Sequence, residues 1–199
     1  MTARAEHKAE SQNRILKAAG TRLRLEGIDG AGIADVMRDA GLTHGAFYSH
    51  FANKSELSAA ALKHALLDNR TRWVGEVKQE SWTARLQRLA RRYLSKNHRN
   101  NPADGCAFAA LTTEAARGDY AFRTAFEEEL LKSILGVCNG SAIEGNPPDP
   151  KVDDAIAFMA LCVGGLSLAR AVTDEKLSSR ILRACAEAAG RIASDERQE

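Results

Sequence analysis

Histidine and cysteine are the side chains in this sequence best suited to bind a metal or attack a substrate, and their spacing favours neither use. The chain contains no HExxH or other metal-ligand spacing, no GxSxG, no P-loop and no GxGxxG after a strand. Its four cysteines lie more than twenty residues apart, within apolar helical patterns and without a CxxC pair. We therefore predict packing cysteines, no catalytic residue, no metal site, no cofactor and no enzyme. The residues concerned are His7, His44, His50, His64, His98, Cys106, Cys138, Cys162 and Cys185.

Cys106 has two interpretations. It stands in "DGCAF", near the predicted start of a helix. A lowered thiol pKa at that position would make it a redox or electrophile sensor. A buried cysteine that only packs is the alternative, and the apolar surroundings favour it.

A dense group of hydrogen-bonding side chains lies in "AGLTHGAFYSHFANKSEL", residues 40–57. Thr43 is expected to cap a helix, its hydroxyl accepting a hydrogen bond from an otherwise unpaired backbone N–H. Helical spacing then directs Phe47 and Phe51 inward. Tyr48 is left on the exposed side.

The outward face of that helix is suited to contact nucleic acid. Small residues at Gly45 and Ala46 would let the backbone approach base edges and phosphates, while neighbouring hydroxyl and imidazole groups could form hydrogen bonds. Lys54 begins a further helix, capped by Asn53 with Glu56 at its third position, where a phosphate would be held. The predicted DNA-binding residues are Thr43, His44, Gly45, Ala46, Tyr48, Ser49, His50 and Lys54.

Two helices are predicted before this segment. The first covers about residues 10–26 and ends at Gly27, and the second covers 33–40 and ends at Gly41. Short helices joined by a tight glycine-containing turn are typical of a helix-turn-helix. An ordinary αα-corner with an exposed tyrosine is the alternative.

The positive charge lies at the front of the chain. The formal net charge is only +2, but residues 1–25 carry six Lys or Arg against two Glu, a local excess of four. This excess would suit a phosphate backbone. A solvated helix face is the other interpretation.

The segment from Ile15 to Leu57, with "ILKAA" and "IADVMRDAGLTHGAFYSHFANKSEL", resembles the N-terminal DNA-binding domain of the TetR family of bacterial transcriptional regulators. The resemblance implies that the helix after Thr43 faces DNA. It also implies that Tyr48 and Lys54 hold backbone phosphates.

Four positions depart from the family's pattern. Gly20 and Arg22 stand in the first helix where apolar residues are usual. Gly32 replaces a capping Ser or Thr, and Met37 replaces an alanine. A glycine cap is weaker by only a few tenths of a kcal/mol, so the departures leave the DNA-binding interpretation in place.

The remaining two thirds of the chain also read as helical, so the expected fold is all-α with about nine helices. We predict an N-terminal three-helix helix-turn-helix domain over 1–54 and a larger helical effector-binding and dimerisation domain over 55–199. The segment 140–150 holds three of the four prolines and is the clearest loop. The later helices are predicted at 55–79, 82–98, 103–116, 119–138, 151–172 and 175–194.

The last two of these helices are expected to form a subunit interface. Helix 151–172 is apolar on more than one face, and 175–194 carries one apolar stripe. In TetR-like proteins the last two helices pair with their mates across a two-fold axis, so the resemblance implies a homodimer through 151–172 and 175–194. A wholly intramolecular core is the alternative.

The resemblance also implies an unidentified small-molecule effector among the middle helices, with Phe108, Phe126 and Met159 as lining candidates. The longest uncharged run, 155–169, is shorter than a membrane span, and the first residues lack an apolar stretch, so a cytoplasmic location without membrane attachment is expected.

The predicted function is a ligand-responsive, DNA-binding transcriptional regulator. The simplest form is a homodimeric repressor released from a palindromic double-stranded DNA operator by the effector. A helical small-molecule-binding or redox-sensing protein without operator binding is the alternative.

Overall fold

The computed structural model of the chain describes residues 3–75, 78–138 and 150–192, and the regular structure in these ranges is entirely helical. The predicted all-α class is therefore confirmed. Within the described ranges, two short 3-10 helices, His44–Ser49 and Pro102–Asp104, accompany nine α-helices. These are α1 Ala3–Gly30, α2 Ile33–Asp39, α3 Lys54–Val74, α4 Trp82–Tyr93, α5 Lys96–Asn100, α6 Ala107–Ala115, α7 Tyr120–Val137, α8 Pro150–Ala171 and α9 Glu175–Ala189.

Backbone packing divides the chain into two compact units. The first unit comprises Met1–Asn69 and Pro102–Glu129, and the second comprises Arg70–Asn101 and Leu130–Glu199. The predicted boundary between residues 54 and 55 divides the chain by proposed function, DNA binding before it and effector binding after it. The two packing units divide the chain on a different basis, so this boundary stays a prediction.

Helix α1 is longer than predicted and is interrupted near its end. It begins at Ala3 instead of near residue 10, and Gly27 has φ 76° and ψ −173° within it. Glycine adopts this φ without the steric penalty that a Cβ would bring. A Cβ at this position would also clash with Oε1 of Glu114. Gly27 thus ends the regular helix, as predicted, and makes room for a carboxylate.

The first unit buries the apolar faces of α1, α2, His44–Ser49 and the start of α3 against one another. Gly20 permits close packing here, because a Cβ at this position would lie 3.4 Å from the Cβ of Ala65 on α3. A Cβ would be in ordinary contact there, so the position suits a small residue but does not require glycine. The buried side chains include Ile15, Ala19, Leu23, Val36, Met37, Phe47, Phe51, Leu57, Ala61 and Leu62.

Four predicted helix boundaries in the later part of the chain need correction. Helix α3 ends at Val74, before Gly75 with φ 67°, rather than at 79. The predicted helix 103–116 begins at Ala107, and 175–194 ends at Ala189. Residues 140–149 of the predicted 140–150 loop lie outside the described residues. Residues 193 and 194, the end of the predicted helix 175–194, also lie outside them. The fourth correction concerns 82–98.

The segment predicted as one helix over 82–98 is two helices. Leu94 leaves the helical conformation with φ −85° and ψ 57°. Ser95 then caps α5, its Oγ accepting a hydrogen bond from the His98 N–H at 3.2 Å. The break brings His98 into the interior of the second unit.

In the second unit, α8 and α9 pack tightly. A Cβ at Gly165 would lie 2.8 Å from both Cβ and Sγ of Cys185, so only glycine fits this crossing. Asp174 caps α9 by accepting from the Leu177 N–H at 2.6 Å. The Ser178 hydroxyl donates to the Ala169 carbonyl at 2.6 Å and ties the start of α9 to the end of α8.

A buried arginine closes the end of α7. The Arg85 guanidinium donates to the carbonyls of Val137 and Gly136 at 2.7 and 2.9 Å. Glu80 lies 3.7 Å from the same guanidinium. Burial lowers the pKa of Arg85. The carbonyl partners and Glu80 act in the opposite direction and help to keep the guanidinium charged.

All four cysteines are free thiols, and Cys106 is buried at the N-cap position of α6. This placement agrees with a packing role, while its sensing role stays a prediction. Among the helices described, α8 alone has the length and mean hydropathy, 1.7, of a membrane span. Core helices of globular proteins pass the same test, so α8 is weak evidence for a membrane protein.

Candidate nucleic-acid interface

The His44–Ser49 helix follows a tight turn that two hydrogen bonds from the exposed side chain of Arg14 hold in place. Gly41 has φ 65° in this turn. The Arg14 guanidinium donates to the carbonyls of Ala40 and, at 3.2 Å, Gly41. Arg14 therefore fixes the angle at which the segment leaves α2.

The three aromatic residues of the segment face the two directions predicted for them. Phe47 is 0% exposed and Phe51 is 3% exposed, whereas Tyr48 is 66% exposed. The ring of Phe47 contacts Tyr48 edge-on at a centroid distance of 5.2 Å and Phe51 at 5.9 Å. Phe47 thus anchors the segment while Tyr48 projects from it.

The outward face of the segment is small and open. A Cβ at Gly45 would meet no protein atom within 4 Å, so packing within the described chain does not require glycine there. The His44 ring lies edge-on to Tyr48 at 6.2 Å, and Ala46 is half-buried. Ser49 donates its hydroxyl proton to the Ala46 carbonyl at 2.7 Å, which leaves its oxygen lone pairs available as acceptors.

One predicted cap is wrong and the other is confirmed. Thr43 has the extended backbone of an N-cap, but its side chain makes no capping hydrogen bond. The turn begins instead with the Ala46 N–H donating to the Thr43 carbonyl at 3.1 Å, the short register of a 3-10 helix. Before α3, Asn53 Oδ1 accepts from the Glu56 N–H at 2.9 Å, and Glu56 accepts from the N–H one residue before Asn53 at 2.7 Å.

His50 and Lys54 lie at the margin of the face. His50 is half-buried, and its Nδ1 has no hydrogen-bond partner within the part of the chain that the structure describes. Burial, with a smaller effect from Lys8, lowers its pKa and favours the neutral imidazole. Lys54 Nζ donates to the Asp29 carbonyl at 3.2 Å. An ammonium carries three protons, so this bond leaves Lys54 able to bind a phosphate as well.

The positive charge at the front of the chain is partly used within the protein. Besides Arg14, Arg22 pairs with Asp39 at 2.6 Å and lowers the pKa of that carboxyl. Arg24 donates to the Ala103 carbonyl at 2.5 Å. The other three basic side chains of residues 1–25 are exposed: Arg4, Lys8 and Lys17. The basic surface is therefore smaller than the charge count predicts.

Two carboxylates from the α6–α7 region contact the N-terminal helices, and the sequence gives no local signal for either. Glu114 Oε2 accepts from the Ile28 N–H at 2.6 Å, next to the Gly27 interruption. Ser55 donates its hydroxyl to Asp119 Oδ2 at 2.5 Å, and this bond lowers the pKa of Asp119. Both contacts lie within the first unit.

The predicted effector-lining residues are divided between the units. Phe108 and Phe126 meet edge-on in the first unit at a centroid distance of 5.1 Å. Met159 belongs to the second unit and is half-buried. Three clefts within the described part of the chain are lined by other residues. Their role in ligand binding stays a prediction.

Known proteins match this chain by family profile and by fold. Residues 15–61 match the profile described as "Bacterial regulatory proteins, tetR family". A TetR-family structure from Cytophaga hutchinsonii is 20% identical, covers 97% of this chain and 98% of its own, and has a TM-score of 0.68. A Rhodococcus sp. structure described as a TetR-family regulator is 22% identical, with coverages of 91% and 99% and a TM-score of 0.65. One from Chloroflexus aurantiacus is 19% identical, with coverages of 96% and 97% and a TM-score of 0.67.

At these identities the structures establish a shared fold. No curated protein sequence matches the chain.

Proposed function

We propose that this protein binds double-stranded operator DNA and regulates transcription in response to a small molecule, because residues 15–61 match the profile of the TetR family of bacterial regulators. The observation that carries this proposal is the His44–Ser49 helix. It combines a glycine without internal packing and an exposed tyrosine with a fully buried phenylalanine anchor. This arrangement offers a rigid, small-residue surface to a groove.

Each protomer would place the His44–Ser49 helix in the major groove. His44 would reach base edges, because imidazole can donate or accept there. Tyr48 and Lys54 would contact phosphates on either side and set the orientation of the helix. Two protomers would read half-sites about 34 Å apart, one turn of the duplex, on a palindromic operator.

The partner in this arrangement is a second copy of the chain. Helix α8 exposes Ile156 and Leu168, the latter by 58%, and Ala160 and Gly164 lie between them at successive four-residue intervals. A Cβ at Gly164 would meet nothing within 4 Å, in contrast to the crowded Gly165. Exposed apolar and small residues on one helix face support close packing against another helix.

A charge placed in this face should separate the protomers. We expect Leu168→Glu to convert a dimer into a monomer, measured by sedimentation equilibrium, because burying an unpaired carboxylate is strongly unfavourable. Leu131→Glu is the matched control, since Leu131 is 41% exposed on α7. A monomeric wild type, or a Leu168→Glu variant that stays dimeric, would argue against the α8–α9 interface.

The proposed response to an effector passes through the two carboxylate contacts. A ligand that displaces the α6–α7 turn would move Glu114 and Asp119, and with them Ile28 and Ser55 at the ends of α1 and α3. To lower DNA affinity, the ligand must bind the displaced state more tightly than the DNA-binding state. The loss of DNA affinity can be no larger than the difference between these two binding free energies. Release of a repressor is the outcome that we propose.

A helical ligand-binding protein without operator binding is the second candidate. The observation in its favour is that Arg14, Arg22 and Arg24 are engaged within the protein. Fewer cations are therefore free for phosphates than the sequence indicates. A cytoplasmic location suits both candidates.

Binding to DNA from upstream of the chain's own coding sequence, measured by fluorescence anisotropy, distinguishes the two functions. We expect Lys54→Ala and Tyr48→Phe to weaken binding to all sequences, and Lys54→Ala to reduce the salt slope by about 1. His44→Ala should change base preference instead. Lys176→Ala on α9 is the charge-matched control. Wild-type affinity in all three test variants would refute the assigned face, and turnover of a substrate without DNA binding would favour the second candidate.

A further inference from the structure

A cleft of about 480 Å³ between α4 and α9 in the second unit has an arginine-rich wall. Gln87 and Arg91 contribute from successive turns of α4. Arg183 and Glu187 contribute from successive turns of α9, and Arg191 follows the end of that helix. Three guanidinium groups therefore surround a space that contains a single lining carboxylate.

Close packing at one end of the cleft holds the two helices together. A Cβ at Gly190 would lie 2.9 Å from Cγ of Gln87, so the backbone after α9 rests directly against α4. Beyond this contact the side chains are long and separate the surfaces. Arg91 and Arg183 are thus presented by two helices in fixed register, and Arg191 by the turn that follows α9.

Arg91 and Arg183 are used differently from other arginines of the second unit. Across residues 3–75, 78–138 and 150–192, neither makes a hydrogen bond or an ion pair. Arg88, by contrast, pairs with Glu80, and Arg99 pairs with Glu175 at 2.8 Å. Gathering unpaired like charges is unfavourable unless an anion joins them.

The cleft lies on a different face of α9 from the apolar stripe proposed for the dimer. That stripe includes Leu177 and Ile181. With 3.6 residues per turn, Arg183 lies more than about 100° around the helix axis from each of them. A second copy of the chain that contacted Leu177 and Ile181 would therefore approach α9 from a different side than Arg183.

We propose that this cleft binds a phosphate-bearing small molecule. Guanidinium groups match phosphate oxygens in a two-pronged geometry, and several such groups favour a multiply charged anion. The volume suits a metabolite rather than a macromolecule. Gln87 and Glu187 supply an amide and an acceptor for hydroxyl or amino groups on the same ligand. The site shares no residue with the DNA face or with Phe108, Phe126 and Met159, and it does not depend on operator binding.

Calorimetry with pyrophosphate on the full chain at low ionic strength tests the site. We expect one pyrophosphate per chain, and a loss of affinity of about tenfold or more in both Arg91→Ala and Arg183→Ala. Arg183→Lys keeps the charge but not the two-pronged geometry and should lie between wild type and Arg183→Ala. These arginines are exposed, so far-UV circular dichroism should show folded variants.

Two controls decide whether the binding belongs to the cleft. Arg180→Ala removes the same charge from α9 outside the cleft and should retain wild-type affinity within about twofold. Lys54→Ala removes the predicted phosphate contact on the DNA face and should also retain it. No binding by the wild type would overturn the proposal, as would an equal loss in Arg180→Ala or a loss confined to Lys54→Ala.

Discussion

Replacing Phe47 with alanine will destabilise the N-terminal helices by about 3–5 kcal/mol. The side chain is 0% exposed and packs against Phe51 and Tyr48. Removing its ring would leave a cavity between short helices that depend on tertiary packing, because α2 has only seven residues. Urea denaturation followed by far-UV circular dichroism measures the effect. Both tryptophans, Trp73 and Trp82, lie in the second unit and would report on that unit instead.

Tyr48→Ala is the matched control for this prediction. Tyr48 is the next residue in the same helix and is 66% exposed, so its loss should change stability far less. It should nevertheless weaken DNA binding, because the proposed phosphate contact is gone. Equal destabilisation by the two substitutions would contradict the assignment of one aromatic to the core and the other to the surface.

The sides on which these aromatics lie could be predicted although the helix type could not. The sequence predicts an α-helix, whereas His44–Ser49 has the tighter 3-10 form. The Phe51 N–H nevertheless donates to the Phe47 carbonyl at 3.0 Å, a four-residue hydrogen bond of the α type. This bond preserves the spacing on which the inward orientation of Phe47 and Phe51 depends.

A glycine predicts the end of a helix reliably where the apolar pattern also stops, and less reliably where that pattern continues past it. Gly27 and Gly41 both have positive φ at the predicted ends of the first two helices. Gly75 also has positive φ and follows the end of α3, but the surrounding residues suit a helix equally well. The residues around Leu94 also suit a continuous helix, and the structure shows there a break after which Ser95 Oγ accepts a hydrogen bond from the His98 N–H.

The partners of charged residues could not be predicted, since they are distant in the sequence. Arg22 and Asp39 are seventeen positions apart. Ile28 and Glu114 are 86 positions apart. Counting charges within residues 1–25 therefore identified a basic segment but overestimated the number of free cations. The candidate DNA face is formed by residues close together in the sequence and could therefore be predicted. The contacts that would connect it to an effector join residues far apart in the sequence and could not be predicted.

His98 should make the second unit less stable as the pH falls from 6.5 toward 4. It is 2% exposed, its ring stacks on Trp73 at 4.0 Å, and its Nδ1–H donates to the Tyr93 carbonyl at 2.8 Å. The pKa of His98 is lowered from 6.5 to about 4, mainly by burial and to a smaller extent by Arg170 and Arg72, against the opposing effect of the Tyr93 carbonyl. The folded protein therefore holds His98 neutral where the unfolded chain already binds a proton.

The sign follows from proton binding. Above pH 6.5 both states are neutral at His98 and the residue adds no pH dependence. Between 6.5 and about 4 only the unfolded state gains a proton, so the free energy of unfolding falls, by on the order of 3 kcal/mol across the whole window. Carboxyl groups with lowered pKa values lose their contribution mainly below this range: Asp39, Glu80, Asp119 and Glu175.

Urea midpoints measured by tryptophan fluorescence across this pH window test the prediction. His98→Phe keeps an aromatic ring on Trp73 but cannot be protonated, so its stability should be lower overall and vary less with pH. His7→Gln, on the exposed first turns of α1, is the control and should follow the wild-type curve. If His98→Phe loses stability with falling pH as steeply as the wild type, another group is responsible and the buried neutral imidazole is not the cause.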